Sequence, residues 1–450
     1  MQRDAVPHAT GIFFKEDPLD FNEWIEKNSQ CASYTHFDYK ISLKDIINEI
    51  VDPQRICGHA FKPFIHFQKE IIKYNGKERV PKIRELNYAS HYDRCIYQYY
   101  SHLLNEKYNE EAKKLKINHV AIAYRNILKK SNINFAKQAF DFIKSHNGCI
   151  VMVADFTNFF DTLDHNYLKL QICKVLKTEK LPEDYYKVFK SVTRYSFVEK
   201  EEIDQLCKDL GIKENKKIIM PMSELRNHSK YIKQNKKGCG IPQGVAISSI
   251  LSNIYMMDFD RDCQNMIRKM GGLYLRYSDD SIFVFPNKNQ SDARYLFNKI
   301  IREIQKIPNL ELSKAKTKVY YCDKGIVKNC NIAIGNESNS KNAIDYLGFT
   351  YDGQHIKIRE KTISKYYYRA YKKVKGIKKS RRYHPEQRTG TTNLYDRYTL
   401  KGAHSEKGNF LSYVERSARV FNSEDNIKRI LKVHYGKIKK RMMTKTKGNQ

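Results

Sequence analysis

Hydrophobic and polar positions follow two different periods along this chain, and each change of period predicts a new element. Between 76 and 145, apolar residues recur at helical spacing among basic ones, which predicts helices; the segment VPKIREL is included in that prediction. At 149–155 the chain becomes a continuous apolar run, CIVMVAD, that ends on an acid. Such a run predicts a buried strand that delivers a carboxylate at its end.

The second half of the chain shows both patterns in alternation. LYLRYSDDSIFVF (273–285) is apolar on both sides of a polar tip and predicts a β-hairpin. Helices are predicted for TLDHNYLKLQICKVLKT, for the long run after IPQG that ends at Gly271 and Gly272, and for ARYLFNKIIREIQKI. LELSKAKTKVYY and IDYLGFTYDG predict strands, and a basic helical tail follows. Strands that alternate with helices, with a hairpin among them, predict an α+β fold.

Charge adds a first indication of function. The 450 residues carry a formal charge of +32, and residues 361–450 alone hold 25 Lys and Arg against 6 Asp and Glu. Within this tail, KYYYRAYKKVKGIKKSRRY (365–383) interleaves cations with tyrosines, a pattern that suits phosphate backbones and base stacking. The tail therefore indicates nucleic-acid binding. A merely solvated basic helix and an anionic membrane surface are the alternatives.

Other features of the composition exclude several classes of protein. No stretch approaches the roughly 20 apolar residues that a membrane span needs, and the N-terminus MQRDAVPHAT lacks the order of a signal peptide. Ten cysteines are scattered without a CxxC or a paired Cys/His spacing, so we expect reduced thiols and no zinc module. The expectation is a cytoplasmic protein without a membrane partner.

Two acidic sites are the candidates for chemistry. Asp155 ends its predicted strand, and Asp279 and Asp280 occupy the tip of the predicted hairpin. A sheet that paired these elements would gather three carboxylates, which repel one another and raise one another's pKa. Two Mg²⁺ ions would relieve that repulsion and clamp the attacking and leaving oxygens of a phosphoryl transfer. Adjacent aspartates are also common in ordinary turns, so the surrounding sequence has to decide.

Five segments, in order, resemble the motifs of reverse transcriptases over roughly residues 80–355. They are Asp155-Phe156-Thr157-Asn158-Phe159-Phe160-Asp161 (motif A), Gly240-Ile241-Pro242-Gln243-Gly244 (motif B), Tyr277-Ser278-Asp279-Asp280 (motif C), Lys316-Thr317 (motif D) and Tyr346-Leu347-Gly348-Phe349 (motif E). One such motif is weak evidence, whereas five in this order are strong.

The resemblance implies that motifs A and C hold the metal ions. Asp155, Asp279 and the backbone carbonyl of Phe156 would bind two Mg²⁺ ions, with Mn²⁺ as an alternative. Asp280 would lie nearby as a weaker ligand. Tyr277 and Ser278 complete motif C.

Motifs B and E are implied to contact the nucleotide and the primer. Pro242, Gln243 and Gly244 would approach the incoming nucleotide closely. Leu347 and Gly348 would form the primer grip.

Phe160 stands where the family carries a steric gate. A bulky ring there would clash with a ribose 2′-OH and so select deoxynucleotides. Core packing is the alternative, because Phe159 and Phe160 cannot both face the pocket.

Several basic residues resemble the parts of the family that meet the triphosphate. Lys82, Arg84 and Arg94 resemble the basic fingers segment, with Arg84 preferred, and Lys316 would lie near the pyrophosphate. Ordinary surface charge is the alternative for all of them.

The implied fold is a right-hand polymerase of the α+β class, with an antiparallel palm sheet and a helical thumb. We expect an N-terminal helical extension (1–75), fingers (76–150), a palm (151–355) with a fingers-like insertion at about 195–240, and a basic helical thumb (356–450).

The implied function is RNA-directed DNA synthesis on an RNA template, with dNTPs as substrates and DNA as product. The motifs are similar in style to bacterial retron, group II intron and defence-associated enzymes. Neither the retron NAxxH nor the retron VTG motif is matched by the nearest strings, 134–138 and 388–390, and no Cys/His endonuclease pattern follows the thumb. By elimination we expect a lone enzyme of bacterial antiphage defence, with a dedicated non-coding RNA as a candidate template.

Other functions stay open at this point. A retron or group II intron-type enzyme without a defence role is one, and a catalytically silent RNA-binding protein is another, although all three acids are present. An RNA-dependent RNA polymerase usually has a glycine where Ser278 stands and lacks a bulky gate. The 32 tyrosines raise protein priming, although tyrosine is an ordinary packing residue. The string GNFLSY (408–413) has no explanation from sequence alone, and the oligomeric state is open.

Overall fold

A computed structural model describes residues 18–74, 79–212, 217–336, 341–383, 392–405, 408–422 and 425–444. The described helices are α1 Pro18–Asn28, α2 Leu43–Ile50, α3 Pro53–Gly58, α4 His91–Lys114, α5 Asn132–Lys144, α6 Phe159–Thr162, α7 His165–Leu176, α8 Glu183–Thr193, α9 Lys200–Asp209, α10 Met222–Asn227, α11 Ala246–Tyr255, α12 Met257–Lys269, α13 Ala293–Ile304, α14 Glu360–Tyr383, α15 Thr392–Tyr398, α16 Leu400–Ala403, α17 Phe410–Val420 and α18 Asp425–Met443.

The described strands form three sheets. They are β1 Phe64–Tyr74, β2 Arg79–Tyr88, β3 Cys149–Asp155, β4 Ser196–Glu199, β5 Lys233–Gln234, β6 Leu273–Tyr277, β7 Asp280–Phe285, β8 Lys318–Asp323, β9 Ile326–Asn329, β10 Ile344–Tyr346, β11 Phe349–Tyr351 and β12 Ile356–Ile358. The chain divides into two compact units. The first comprises Met1–Asn118, Thr157–Arg261 and Ile304–Glu311, and the second comprises His119–Phe156, Asp262–Glu303 and Leu312–Gln450.

The second unit is built on a five-stranded sheet in the order β6-β7-β3-β8-β9, antiparallel throughout. β3 lies at its centre and its first four residues are buried, which explains why the sequence there is apolar without alternation. Tyr274 and Phe283 are cross-strand partners whose rings stack 4.5 Å apart. One core joins this sheet to α5, to the small antiparallel sheet β10-β11-β12 and to α17 and α18.

The first unit contains a four-stranded sheet in the order β2-β1-β4-β5, in which β1 and β4 are parallel and the other pairs antiparallel. Helix α4 is its longest helix and packs against α7, α8 and α11. His102 on α4 stacks on the single tryptophan of the chain, Trp24 on α1, with ring centroids 4.3 Å apart. The unit thus has its own helical core beside its sheet.

The structure corrects several predicted elements. VPKIREL was expected to be helical, yet it lies in strand β2, and the predicted helical extension contains strand β1. A proline such as Pro81 would break a helix interior but is tolerated on an edge strand, and β2 is an edge of its sheet. Residues 195–240, expected to be a fingers-like insertion, contain β4, α9, α10 and β5.

Two further boundaries differ from the prediction. The long helix after IPQG is interrupted at Met256, where α11 ends and α12 begins. The strand predicted from LELSKAKTKVYY starts only at Lys318, because Ser313, Lys316 and Thr317 form a turn in which the carbonyl of Ser313 accepts two backbone N–H groups.

The predicted α+β class, with an antiparallel sheet around β3 and a helical C-terminal part, is confirmed. The hairpin at 273–285 and the helices α7 and α13 are also present as predicted. The division into fingers, palm and thumb at the boundaries given above stays a prediction. Among the residues that the structure describes, no helix is long and apolar enough to cross a membrane.

Candidate active site

Strand pairing in the second unit brings the predicted acids to one end of its sheet. Asp155 is the last residue of β3 and Asp280 the first of β7, and the two are directly opposite partners in the antiparallel ladder. Asp279 lies in the two-residue turn between β6 and β7, after Ser278. Like charges placed directly opposite on neighbouring strands repel each other, so this position has an electrostatic cost.

The pKa of Asp280 is raised at this position. Burial raises it to about 6, with further upward contributions from the charges of Asp279 and Asp155. The positive charges of Arg359 and Lys316 act in the opposite direction. A carboxylate with such a pKa in a cluster of acids is typical of a functional site.

Lys316 lies beside these acids. Its ammonium group forms an ion pair with the Asp155 carboxylate, while the side chain remains half-exposed. The turn that carries Lys316 is fixed to β3, because the N–H of Ser313 donates to the carbonyl of Asp155 at 2.8 Å. The next residue, Phe156, bridges to Leu312, and its side chain is buried. Motif D is therefore held against the start of motif A.

Carboxylate and carbonyl oxygens at this place are the available metal ligands. Within the described ranges, no three His, Cys, Asp or Glu side chains are arranged as a metal-binding group. The ammonium of Lys316 contacts Asp155. Asp155, Asp279, Asp280 and the carbonyl of Phe156 nevertheless supply the hard oxygen donors that Mg²⁺ prefers.

Two residues that the sequence did not single out hold the turn of motif C. Ser278 has a left-handed backbone, with φ of 60°. The fully buried Arg276 donates from Nη1 to the Ser278 carbonyl at 3.1 Å, and Tyr124 donates its hydroxyl to Ser278 Oγ at 3.2 Å. Arg276 could have been noticed as a cation inside an apolar strand. Tyr124 gives no such signal, because it precedes Ser278 by 154 residues and lies in no recognisable motif.

Motif E forms a tight hairpin turn in the same unit. Leu347 and Gly348 connect β10 to β11 and both have positive φ angles, 47° and 95°. Such two-residue turns match the twist of antiparallel strands. The predicted primer-grip residues thus occupy a single, tightly defined turn.

The predicted gate, Phe160, lies in the part of motif A that belongs to the first unit. Phe159 is buried in the core, whereas Phe160 is only partly buried. The carbonyl of Phe160 accepts the N–H of Ile241 at 2.9 Å, which ties it to motif B. Of the two neighbouring rings, Phe160 is therefore the one that stays accessible.

Motif B is fixed to strand β2 and to the end of motif A. The N–H of Asn87 donates to the carbonyl of Gln243 at 2.9 Å, and Ser248 donates its hydroxyl to the carbonyl of Pro242 at 2.6 Å. Gly244, with φ of 101°, lies so close to the carbonyl of Asn87 that a Cβ would be 3.0 Å from it. The segment therefore requires glycine at this position.

Asp161 is a neighbour of Gln243 to which the sequence analysis assigned no role. The Gln243 amide nitrogen lies 3.4 Å from each carboxylate oxygen of Asp161. Burial raises the pKa of Asp161, the Gln243 amide lowers it, and the charge of Glu85 raises it further.

The predicted basic residues separate into two kinds. Lys82 and Arg84 lie two residues apart on β2, so both side chains project from one face of the β1–β2 hairpin. Arg94 instead donates to the carbonyl of Gln30 at 3.1 Å, which gives it a structural role in the first unit. Lys82, Arg84, Phe160 and motif B belong to the first unit, and the acids, Lys316 and motif E to the second.

Comparisons with known proteins place this chain in a family. A family model described as reverse transcriptase (RNA-dependent DNA polymerase) matches residues 82–351, more than half of the chain. No curated protein matches it.

Among solved structures, three telomerase structures from two Candida species are similar to it. One from Candida albicans, in complex with a TWJ fragment of telomeric RNA, is 12% identical over 71% of this chain and 49% of that chain, with a TM-score of 0.35. An apo form from Candida tropicalis, truncated from its C-terminal domain, is 16% identical over 73% of this chain and 63% of that chain, with a TM-score of 0.37. Another apo form from Candida tropicalis is 14% identical over 94% of this chain and 68% of that chain, with a TM-score of 0.38.

The chain spans about half of the Candida albicans telomerase and less than two thirds of the truncated one. The assignment rests on the family model, whose range contains all five motifs. The chain therefore belongs to the reverse transcriptase family of RNA-dependent DNA polymerases.

Proposed function

We propose that this protein is a catalytically competent RNA-directed DNA polymerase that uses two metal ions. The observation that carries the proposal is the pairing of Asp155 with Asp280 across β3 and β7, with Asp279 in the adjoining turn. The three acids of motifs A and C are all present at one end of a buried sheet. A family member without catalytic activity would not need to keep this cluster of acids, which lowers the stability of the fold.

Two Mg²⁺ ions fit the chemistry of these residues, with Mn²⁺ as an alternative. Asp155, Asp279 and the carbonyl of Phe156 would hold them, with Asp280 alongside. The pKa of Asp280 is raised first by burial and then by the charges of Asp279 and Asp155, and a bound divalent cation would favour the charged carboxylate against all three. When bound, the ions supply charge stabilisation for the attacking and leaving oxygens of phosphoryl transfer.

Other side chains would position the substrates. The Lys316 ammonium, already next to Asp155, would stabilise negative charge that develops on the phosphates. Lys82 and Arg84 would meet the triphosphate, and motif B would lie against the sugar and base. Phe160 would exclude a 2′-hydroxyl. Leu347 and Gly348 would support the end of the growing strand.

The basic C-terminal helices would bind the RNA template and the duplex product. On α14, cations such as Arg369, Lys372 and Lys379 are exposed, while the opposite face, with Ala370 and Val374, is buried. An exposed basic face opposite an apolar one suits a phosphate backbone, and the binding should weaken steeply with salt. A cytoplasmic location is part of the same proposal.

The finer proposal is a role in bacterial antiphage defence, with a dedicated non-coding RNA as a candidate template. It is supported by departures from the other bacterial groups, because residues 134–138 do not form the retron NAxxH motif. The string that would stand for the thumb VTG motif, 388–390, lies outside the described residues. Retron and group II intron-type enzymes without a defence role are the alternatives.

An activity assay tests the main proposal. Purified protein with Mg²⁺ and RNA co-purified from its host should incorporate labelled dNTPs, and Asp279→Ala should reduce incorporation by at least about a thousandfold because a metal ligand is lost. The variant should still bind an RNA–DNA duplex. Incorporation of rNTPs instead of dNTPs would identify an RNA polymerase, and equal activity of wild type and variant would remove the acids from the mechanism.

The proposed gate makes a prediction about selectivity. Phe160→Ala should lower the preference for dNTPs over rNTPs by about tenfold or more, because the ring no longer excludes the 2′-hydroxyl. Phe159→Leu is the matched control, since Phe159 is the buried ring of the pair. The ratio of kcat/KM for dATP and ATP measures the effect. An unchanged ratio in Phe160→Ala would assign this ring to packing.

The raised pKa of Asp280 predicts a pH-dependent stability. The protonated carboxyl of Asp280 stabilises the folded state fully below about pH 4. This contribution disappears as the pH rises through about 6, because the buried site disfavours the charged carboxylate. Metal-free Asp280→Asn should therefore be more stable than wild type at pH 7.5, by on the order of 1–2 kcal/mol, with little difference at pH 4. Urea midpoints measure this.

Asp352→Asn is the control with the opposite sign. Partial burial by itself would raise the pKa of Asp352. The Lys357 ammonium and the N–H groups of His355 and Gln354 nevertheless hold this pKa at about 2. Its contribution is present above about pH 4 and lost as the pH falls through about 2, so this variant should lose stability at pH 7.5. Equal midpoints for Asp280→Asn and wild type at pH 7.5 would contradict a cost of charging Asp280 at this site.

The defence role is tested by phage plating. Cells that carry the gene should be infected at least about tenfold less efficiently than cells without it, and cells with the Asp279→Ala gene should behave like the latter, since protection would require synthesis. Identical plating on all three would end this finer proposal while leaving the polymerase activity untouched.

A further inference from the structure

The Leu347–Gly348 turn is held by donors from two segments of the second unit, and a third segment contacts one of these donors. The amide nitrogen of Asn132, at the start of α5, donates to the carbonyl of Leu347 at 2.9 Å. The N–H of Arg359 donates to the carbonyl of Gly348 at 2.9 Å. The hydroxyl of Tyr413 on α17 lies 3.4 Å from the same amide nitrogen of Asn132. Both carbonyls of the turn are thus occupied by donors from elsewhere in the chain.

Leu347 makes these contacts necessary. A leucine rarely adopts a positive φ, because its Cβ then crowds the following carbonyl oxygen, and such a residue persists only where its surroundings impose it. The side chain of Leu347 is buried in the core of the unit, so the residue cannot be relieved by turning outward. At Gly348, a Cβ would lie 3.5 Å from the Tyr413 hydroxyl. The turn is strained and closely packed on both sides.

The GNFLSY string explains how Tyr413 reaches this turn. The side-chain carbonyl of Asn409 accepts the N–H of Leu411 at 2.8 Å, and its amide donates to the carbonyls of Asp396 and Thr399 at 3.0 and 2.8 Å. Asn409 therefore caps α17 and at the same time binds the preceding helical segment.

The aromatic residues of the string complete the arrangement. The ring of Phe410 lies 4.5 Å from that of Tyr366 on α14. The ring of Tyr413 stacks 6.0 Å from that of Phe349, the residue that follows the turn. The start of α17 is thus fixed to α14 on one side and to motif E on the other.

The turn is also connected to the acids through Arg359. Its backbone holds Gly348, its guanidinium forms an ion pair with Asp345 on β10, and its charge lowers the pKa of Asp280. A displacement of the turn would therefore move a cation that acts on the candidate metal site.

We propose that Asn132 and Tyr413 are positioning residues that hold the Leu347–Gly348 turn for polymerisation, and that the GNFLSY string serves to place Tyr413. This inference rests on the proposed function, since it takes the turn to support the end of the growing strand. Loss of the Asn132 amide would let the turn relax. The rate of strand extension would then fall without a change in the affinity for the incoming nucleotide.

Asn134 provides a matched control on the same helix end. Its side-chain carbonyl accepts the N–H and the hydroxyl of Ser131, both at 3.0 Å, and so caps α5 without contacting the turn. Asn132→Ala and Asn134→Ala thus both perturb the start of α5, but only the first removes a donor from the turn. Tyr413→Phe removes one hydroxyl and keeps the ring.

Hydrogen exchange tests the contact without any substrate. Amide exchange in the peptide that spans residues 344–351 should be at least about tenfold faster in full-length Asn132→Ala than in wild type, and faster to a smaller extent in Tyr413→Phe. It should be unchanged in Asn134→Ala. Wild-type exchange in Asn132→Ala would overturn the inference.

Single-turnover extension of a primed template tests the role. Asn132→Ala should extend about tenfold more slowly at saturating dNTP, with a KM for dNTP within about twofold of wild type, whereas Asn134→Ala should extend at the wild-type rate. Equal slowing of both variants would show a merely structural effect and overturn the proposal. A wild-type protein without activity would instead overturn the proposed function, and the exchange measurement would still decide whether the two side chains hold the turn.

Discussion

The antiparallel pairing of β3 with β7 places Asp155 directly opposite Asp280, and much of the second unit can be understood as the support that this arrangement requires. Two carboxylates in this position repel each other, and burial adds to the cost. The apolar strands behind them supply the favourable burial that offsets it. Lys316 and Arg359 contribute positive charge from two different segments. The sheet thus stabilises a site that would be unfavourable by itself.

Two turns of the second unit combine a candidate functional motif with a left-handed backbone. Ser278 in motif C and Leu347 in motif E are both non-glycine residues with positive φ. Each is held by hydrogen bonds from residues far away in the chain, Arg276 being the local exception. Backbone strain of this kind persists only where the surroundings impose it, and it is frequent at functional sites. Both turns carry residues of motifs that define the family.

Local patterns predicted the central parts of the fold correctly. The apolar run of β3 and the hairpin at 273–285 need no information beyond their own sequence, and the hairpin tip with its acids could be placed for that reason. The helix prediction for VPKIREL was wrong because this segment forms a strand by pairing with β1, which lies outside it in the sequence. A short apolar and basic stretch cannot by itself distinguish helix from edge strand.

The same distinction applies to the candidate site. Asp155, Asp279 and Asp280 were recognisable because each lies in a short motif. Tyr124 and Asn132 were not, because their partners are 154 and 215 residues away and a single tyrosine or asparagine carries no pattern. Contacts that span such separations become visible only when the chain is folded.

The single tryptophan gives the molecule a built-in optical label for one of its halves. Trp24 stacks on His102 within the first unit, and the second unit contains no indole. Intrinsic indole emission therefore reports on the surroundings of Trp24 in the first unit. The second unit, which carries the paired acids, contributes no tryptophan emission. Its unfolding can therefore pass unnoticed in a tryptophan-fluorescence experiment.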